Sequence, residues 1–127
     1  MPSYPRVMII DPSPIFRSTL IDVLQKHVAC IAIEETDRGD KARNLLNDAR
    51  VDVVFLEIAL PGNNGIQLIA AIKDIDPNTT IVVMTSHDTA EYKEAALSNG
   101  ADYFLSKERS SGLRLLDVIR MAIPDPD

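Results

Sequence analysis

Four short apolar runs of the sequence each end in side chains that could take part in chemistry. The runs and their endings are VMII with Asp11, VVFL with Glu57, IVVM with Thr85-Ser86, and YFL with Ser106-Lys107. If these ends converge, two carboxylates, hydroxyls and an ammonium would suit a hard cation and a phosphoryl-like anion. The alternative is that polar residues end strands because strands end at the surface.

The order of apolar runs and helical patterns predicts the element that brings these ends together. Five runs, at residues 7–10, 29–33, 53–56, 81–84 and 103–105, alternate with amphipathic stretches. Most runs are continuously apolar, which is typical of parallel strands covered on both faces. Strict alternation predicts an α/β doubly wound sheet, in which ligands bind beyond the carboxyl ends of the strands.

Local signals refine this prediction at three places. Ser13 is suited to cap the first helix, with Pro14 at its first position. Asp88 and Glu91 have the spacing of a capping box before the fourth helix. Cys30, the single cysteine, falls in the predicted second strand and is expected in the core.

Composition limits the class of protein. The chain has 127 residues, of which 46% are hydrophobic and 25% charged, so we expect one domain over residues 1–127 with a core of about 6–123. A net charge of −6 argues against a nucleic-acid surface, which needs a basic face. No apolar stretch is long enough to span a membrane and no signal peptide is evident, so a cytoplasmic location is expected.

Four segments together resemble a known family. VMIIDPSPIFR, VVFLEIALPGNNG, IVVMTS and GADYFLSK, in this order and spacing, resemble the landmarks of the response-regulator receiver domain of two-component signalling. The resemblance implies a flavodoxin-like (βα)5 fold with strand order 2-1-3-4-5. It also implies a phosphorelay role, in which a histidine kinase donates a phosphoryl group to an aspartate after the third strand, with Mg²⁺ required.

The resemblance assigns roles to individual positions, with two departures near the chemistry. Glu57 stands at the position of the phosphoacceptor aspartate, and Glu108 stands where a proline usually follows the lysine. Thr85 matches the hydroxyl residue that bonds the phosphoryl group. Phe104 matches the switch aromatic and Lys107 the lysine of the pocket. These matches predict an atypical, degenerate member, a pseudo-receiver.

The implied Mg²⁺ site is incomplete in this sequence. The family supplies two acids after the first strand, whereas this chain has Asp11-Pro12. Asp11, Glu57 and the carbonyl of Ala59 are the remaining ligands. Because Mg²⁺ prefers an octahedral set of oxygen ligands, we expect weak Mg²⁺ binding or none, and no other cofactor.

Glu57 is also a poor match to the phosphoacceptor chemistry. Its extra methylene moves the carboxylate toward the place of a phosphoryl group, and small misplacements of a nucleophile cost large factors in rate. We expect an ion pair with Lys107 and a hydrogen bond from Thr85. Glu57 would then partly imitate the phosphorylated state. The alternative is that it only neutralises Lys107.

Without phosphoryl transfer, such a domain would act through contacts with other proteins. The resemblance points to the face of the fourth helix, fifth strand and fifth helix as a surface for a partner or for a second copy. The residues predicted there are Tyr92, Lys93, Phe104, Arg114, Asp117 and Val118. Partners would be a histidine kinase, an output domain or another regulator, with no direct nucleic-acid or membrane contact.

Three functional interpretations stay open at this point. The first is a non-phosphorylated, non-enzymatic receiver that acts through protein contacts. The second is a working phosphoacceptor in which Glu57, or another side chain such as Ser86, takes the phosphoryl group. The third, compatible with the first, is a receiver that gates a DNA-binding or enzymatic output domain outside this chain.

Overall fold

A computed structural model describes residues 4–123, apart from the side chain of Asn63, and contains seven strands and five helices in that range. In chain order these are β1 (Arg6–Ile10), α1 (Pro14–His27), β2 (Ala32–Thr36), α2 (Gly39–Asp48), β3 (Val53–Leu56), β4 (Ala59–Leu60), β5 (Asn63–Asn64), α3 (Gly65–Ile75), β6 (Thr80–Thr85), α4 (Ala90–Ser98), β7 (Tyr103–Ser106) and α5 (Gly112–Ala122). Among these described residues, none of the helices is long and apolar enough to cross a membrane.

The main sheet has five parallel strands in the order β2-β1-β3-β6-β7. Counted within this sheet alone, the order is second, first, third, fourth, fifth, so the predicted flavodoxin-like fold is confirmed. The strands β4 and β5 form a separate antiparallel hairpin that was not predicted. Gly62 lies in its turn with a φ of +71°, a conformation that favours glycine.

Both faces of the sheet are covered, which explains the continuous apolar runs. Along β3, Val54 and Leu56 pack with α2, α3 and α4, whereas Val53 and Phe55 pack with α1 and α5. The strands β1, β3, β6 and β7 therefore divide their apolar side chains between two separate cores. The signal that predicted parallel strands came from this two-sided burial.

The second strand lies three residues later than predicted. It begins at Ala32, which pairs with Arg6, so the apolar run that suggested it lies mostly before the strand. Cys30 is exposed, and its predicted place in the core is wrong. Because β2 is an edge strand, it tolerates Glu34 on a half-buried position and Glu35 on an exposed one.

Helix starts were predicted with mixed success. Ser13 caps α1 as predicted, since its hydroxyl accepts the backbone N–H of Phe16 at 3.1 Å. The capping residue of α4 is Thr89 and not Asp88, because the Thr89 hydroxyl accepts the N–H of Tyr92. Asp88 instead forms an ion pair with a neighbouring loop, described below.

Candidate functional site

The carboxyl ends of β1, β3 and β7 position the candidate site. The backbone N–H of Glu57 donates to the carbonyl of Ile10 at 2.9 Å, and that of Lys107 donates to the carbonyl of Thr85 at 2.9 Å. Ladder hydrogen bonds therefore continue one residue past β3 and β7. This continuation holds Asp11, Glu57 and Lys107 at a common edge of the sheet, as the sequence predicted.

Asp11, Glu57 and Lys107 form a buried ion cluster. The ammonium nitrogen of Lys107 lies 2.7 Å from Oδ2 of Asp11 and 3.1 Å from Oε1 of Glu57. Asp11 is 2% exposed and Glu57 is 6% exposed. Among residues 4–123, Lys107 is the one cation within ion-pair distance of either acid. The predicted pairing of Glu57 with Lys107 is confirmed.

Backbone donors occupy the other two carboxylate oxygens. The N–H of Ser13 donates to Oδ1 of Asp11 at 2.8 Å, and the N–H of Ala59 donates to Oε2 of Glu57 at 3.2 Å. Each of the four oxygens of the two acids thus accepts a hydrogen bond or ion pair from the chain itself. Such donors lower the cost of burying a carboxylate and fix its orientation.

Phe16 completes the cluster from the first turn of α1. The centroid of its ring lies 4.1 Å from the ammonium nitrogen of Lys107, a cation–π contact. The role of Phe16 was not predicted from the sequence. The available signal was an aromatic residue one turn into the helix that follows Asp11, but its position over Lys107 depends on how α1 packs against the sheet.

Thr85 is buried, but its hydroxyl does not bond Glu57. Its Oγ1 accepts the backbone N–H of His87 at 3.1 Å, and no hydrogen bond between Thr85 and Glu57 is found in the described residues. The expected Thr85–Glu57 bond is therefore wrong in this structure. Phe104 is half-buried against the core formed with α2, α3 and α4. In the described residues, Thr85 meets the cluster through its backbone carbonyl, which accepts the N–H of Lys107.

Two further contacts link the loops that follow β6 and β7. The hydroxyl of Ser86 donates to Oε1 of Glu108 at 2.5 Å, and Nε of Arg109 lies 3.2 Å from Oδ2 of Asp88. In the sequence, Glu108 is evident only as a departure from the family pattern. Its pairing with Ser86, 22 residues earlier, depends on the tertiary structure that brings the two loops together.

The predicted contact face is exposed in part. Tyr92 and Lys93 on α4 and Arg114 and Asp117 on α5 are exposed. Val118 is fully buried against α1 and the sheet, so its predicted place on this face is wrong. The apolar Leu113, at the start of α5, is exposed instead.

Asp11 and Glu57 are the predicted metal ligands that the structure brings together. Within the described part of the chain, no group of three or more His, Cys, Asp or Glu side chains is arranged to hold a metal ion. Ala59, the third predicted ligand, meets Glu57 through its N–H. Pro12, in the place of a second acid, is exposed and carries no ligand atom in its side chain.

Comparisons with known proteins give a consistent result. The Fimbriae Z protein of Salmonella typhimurium is 35% identical over 103 residues, which cover 81% of this chain and 49% of that protein. The chemotaxis protein CheY of Thermotoga maritima is 32% identical over 102 residues, which cover 80% of this chain and 84% of CheY. The chain spans about half the length of Fimbriae Z and of the NarL relatives from Mycobacterium tuberculosis.

A solved structure agrees with these matches. The receiver domain of NarL from Mycobacterium tuberculosis matches with a TM-score of 0.81 and 28% identity, covering 93% of this chain and 94% of that domain. A family model of the response regulator receiver domain matches residues 7–120, a range that contains Asp11, Glu57, Thr85 and Lys107. The chain therefore belongs to the response regulator receiver domain family.

Proposed function

We propose that this receiver domain is not phosphorylated on Glu57 and acts in two-component signalling through protein contacts. The observation that carries the proposal is the occupation of all four oxygens of Asp11 and Glu57 by donors of the chain itself. Asp11 and Glu57 thereby serve as the acidic members of a structural ion cluster around Lys107.

The geometry of Glu57 supports the loss of phosphoryl transfer. A carboxylate that attacks phosphorus needs a free oxygen in line with the incoming group. One oxygen of Glu57 lies 3.1 Å from the ammonium of Lys107, and the other accepts the N–H of Ala59. Attack would require Glu57 to leave a contact that compensates its burial, and this cost adds to the misplacement caused by the extra methylene.

The donor set also fits Mg²⁺ poorly. Mg²⁺ requires near-octahedral oxygen ligands, and in proteins it is commonly held by carboxylates with waters and phosphate. Asp11 and Glu57 already share an ammonium, and Pro12 supplies no third acid. A divalent cation would have to displace Lys107 from both carboxylates. We therefore propose weak Mg²⁺ binding or none, and assign the ion no step.

Glu57 imitates the phosphorylated state only in part. It pairs with Lys107, as a phosphoryl group would be expected to do, but it carries about one negative charge where an acyl phosphate carries about two. Thr85 bonds His87 and not Glu57. These contacts favour a role in fixing Lys107 over a role in drawing Thr85 toward the pocket.

The proposed contact surface is the exposed part of α4, β7 and α5, which we call the α4–β7–α5 face. Tyr92, Lys93, Arg114 and Asp117 line it with aromatic, basic and acidic groups. A histidine kinase, an output domain, another regulator or a second copy of the chain could pair with such a mixture. Charged and aromatic groups at an interface favour specific partners.

The experiment is an amide NMR titration of the chain with Mg²⁺ and then with beryllofluoride, a phosphoryl mimic that needs the acceptor carboxylate and the metal. The proposal expects no saturable shifts around Glu57, Thr85 and Lys107. Saturable shifts at these residues that extend to Phe104 and α4 would contradict it. A typical receiver domain with an aspartate acceptor, titrated in parallel, checks the reagent.

A second candidate function is a receiver that accepts a phosphoryl group and gates an output domain. The observation that favours an output domain is that the chain spans about half the length of Fimbriae Z and NarL relatives. Incubation with acetyl phosphate followed by intact-mass measurement distinguishes the two candidates. Gain of one phosphoryl mass, mapped to Glu57 or Ser86, would favour this second function over the first.

A further inference from the structure

The pairing of β6 with β7 continues beyond the sheet through side chains. Thr85 and Ser106 are the last paired residues of these strands, and the N–H of Lys107 then donates to the carbonyl of Thr85. One residue further, Ser86 bonds Glu108 at 2.5 Å, and beyond it Asp88 lies 3.2 Å from Arg109. The two loops are thus joined by consecutive bridges.

We propose that the pairs Ser86–Glu108 and Asp88–Arg109 form a loop latch that holds the start of α4 against the loop before α5. The latch would keep the α4–β7–α5 face in one arrangement, whatever the state of the ion cluster. The proposal rests on the proposed function in one respect, namely that this face is the contact surface of the domain.

The position of Asp88 connects the latch to α4. Asp88 directly precedes Thr89, whose hydroxyl caps the helix by accepting the N–H of Tyr92 at 3.3 Å. The rings of His87 and Tyr92 meet edge to face with centroids 6.0 Å apart. A shift of residues 86–88 would therefore move the first turn of α4 together with the exposed Tyr92 side chain.

The loop on the other side of the latch is well ordered by its own hydrogen bonds. The N–H of Arg109 donates to the hydroxyl of Ser106 at 3.0 Å, and the N–H of Ser106 donates to the hydroxyl of Ser110 at 3.0 Å. These bonds fix the backbone that carries Glu108 and Arg109. The latch therefore attaches the start of α4 to a fixed support.

The two bridges differ in strength, but both oppose separation of the loop before α4 from the loop before α5. The hydrogen bond to the Glu108 carboxylate is charge-assisted, a class about twice as strong as neutral bonds, although both side chains are exposed and water weakens the contact. Arg109 is 82% exposed, so its ion pair with Asp88 contributes little by itself. Because separation of the loops breaks both bridges together, their effects on opening should be coupled.

The latch depends on Glu108, a residue that departs from the family pattern. Glu108 stands where the family pattern has a proline, and a proline side chain offers no acceptor to Ser86. The residue that departs from the family pattern at this position thus accepts a hydrogen bond from Ser86. The contact needs both the carboxylate of Glu108, in the place of the proline, and the hydroxyl of Ser86.

Amide hydrogen exchange of the whole chain tests the latch. Ser86→Ala and Glu108→Ala each remove the charge-assisted bridge. We expect exchange at the His87, Lys93 and Arg109 amides to rise about fivefold in either variant, as expected for loss of one hydrogen bond. The double variant should show little further increase. Glu108→Gln keeps an acceptor oxygen without the charge and should restore about half of the protection.

Lys41→Ala is the matched control, because it removes an exposed ion pair with Asp37 elsewhere on the surface. It should leave the three amides unchanged. Unchanged exchange at Lys93 in Ser86→Ala, or additive effects in the double variant, would overturn the latch. This outcome is separate from the beryllofluoride titration, which tests Glu57. If exchange is faster in the variants and beryllofluoride binds, the latch stands and the proposed function is rejected. If exchange is unchanged and beryllofluoride does not bind, the latch alone is rejected.

Discussion

The ring of Phe16 covers the ammonium of Lys107 at 4.1 Å while the same ammonium contacts both buried acids. Phe16 thereby closes the side of the lysine that the carboxylates leave open. An aromatic face over a partly desolvated cation stabilises it by about 1–2 kcal/mol. The cluster is thus a four-residue unit in which one member comes from helix α1.

Replacement of Phe16 by Leu should lower the free energy of unfolding by about 1–2 kcal/mol, because the cation–π contact and some apolar contact are lost. Urea unfolding measures the change. Phe16→Tyr keeps the aromatic face and should lose much less. A double-mutant cycle with Lys107→Met isolates the pairwise contribution, and a coupling energy near zero would show that the two side chains do not interact.

Replacement of Lys107 by Met should destabilise the fold by about 3 kcal/mol or more, because two buried carboxylates lose their shared cation. Addition of Glu57→Gln should recover part of this loss, since it removes one of the two uncompensated charges. Urea unfolding of the single and double variants gives both values. A double variant less stable than Lys107→Met would contradict this account of the cluster.

Replacement of Gly65 by Ala should destabilise the domain by about 2 kcal/mol or more, because an added methyl group would overlap the backbone of Ile58. This contact would displace the loop that carries Glu57. Gly112→Ala is the matched control, since no atom lies within 4 Å of its added methyl and the residue begins α5. The control should be neutral or stabilising by about 0.5–1 kcal/mol. Thermal unfolding compares the two.

The combined change of Glu57→Asp and Pro12→Asp should create binding of beryllofluoride that depends on Mg²⁺. It shortens the carboxylate that reaches Lys107 and supplies a second acid beside Asp11, the donor set that Mg²⁺ requires. Fluorine or amide NMR measures the binding. Each single change should give weaker binding than the pair. Equal binding by the unaltered chain would show that neither departure matters.

Cys30 should react with a thiol reagent in the folded protein at close to the rate of an unfolded thiol, because it is exposed before the edge strand. Absorbance of the released chromophore in native buffer and in denaturant gives the two rates. A reaction slower by orders of magnitude in native buffer would contradict this prediction and would indicate that Cys30 is buried in the core.

Much of the fold could be predicted because parallel strands covered on both faces leave a clear pattern. The runs at β1, β3, β6 and β7 were located to within one residue at each end. The edge strand β2 was misplaced, since one of its sides has no neighbouring strand and it tolerates Glu34 and Glu35. On α5, Val118 was assigned to the contact face from the family resemblance, although it is buried.

The sequence by itself determined that Asp11, Glu57 and Lys107 meet, because strand ends in a parallel sheet must converge at one edge. The resemblance to the receiver family also implied that Pro12 stands where a second acid is expected. Only the tertiary structure decided that Thr85 bonds His87, that Phe16 covers Lys107 and that Ser86 bonds Glu108. The physical reason is that strand register follows from backbone hydrogen bonds, whereas side-chain partners across loops depend on how helices and loops pack.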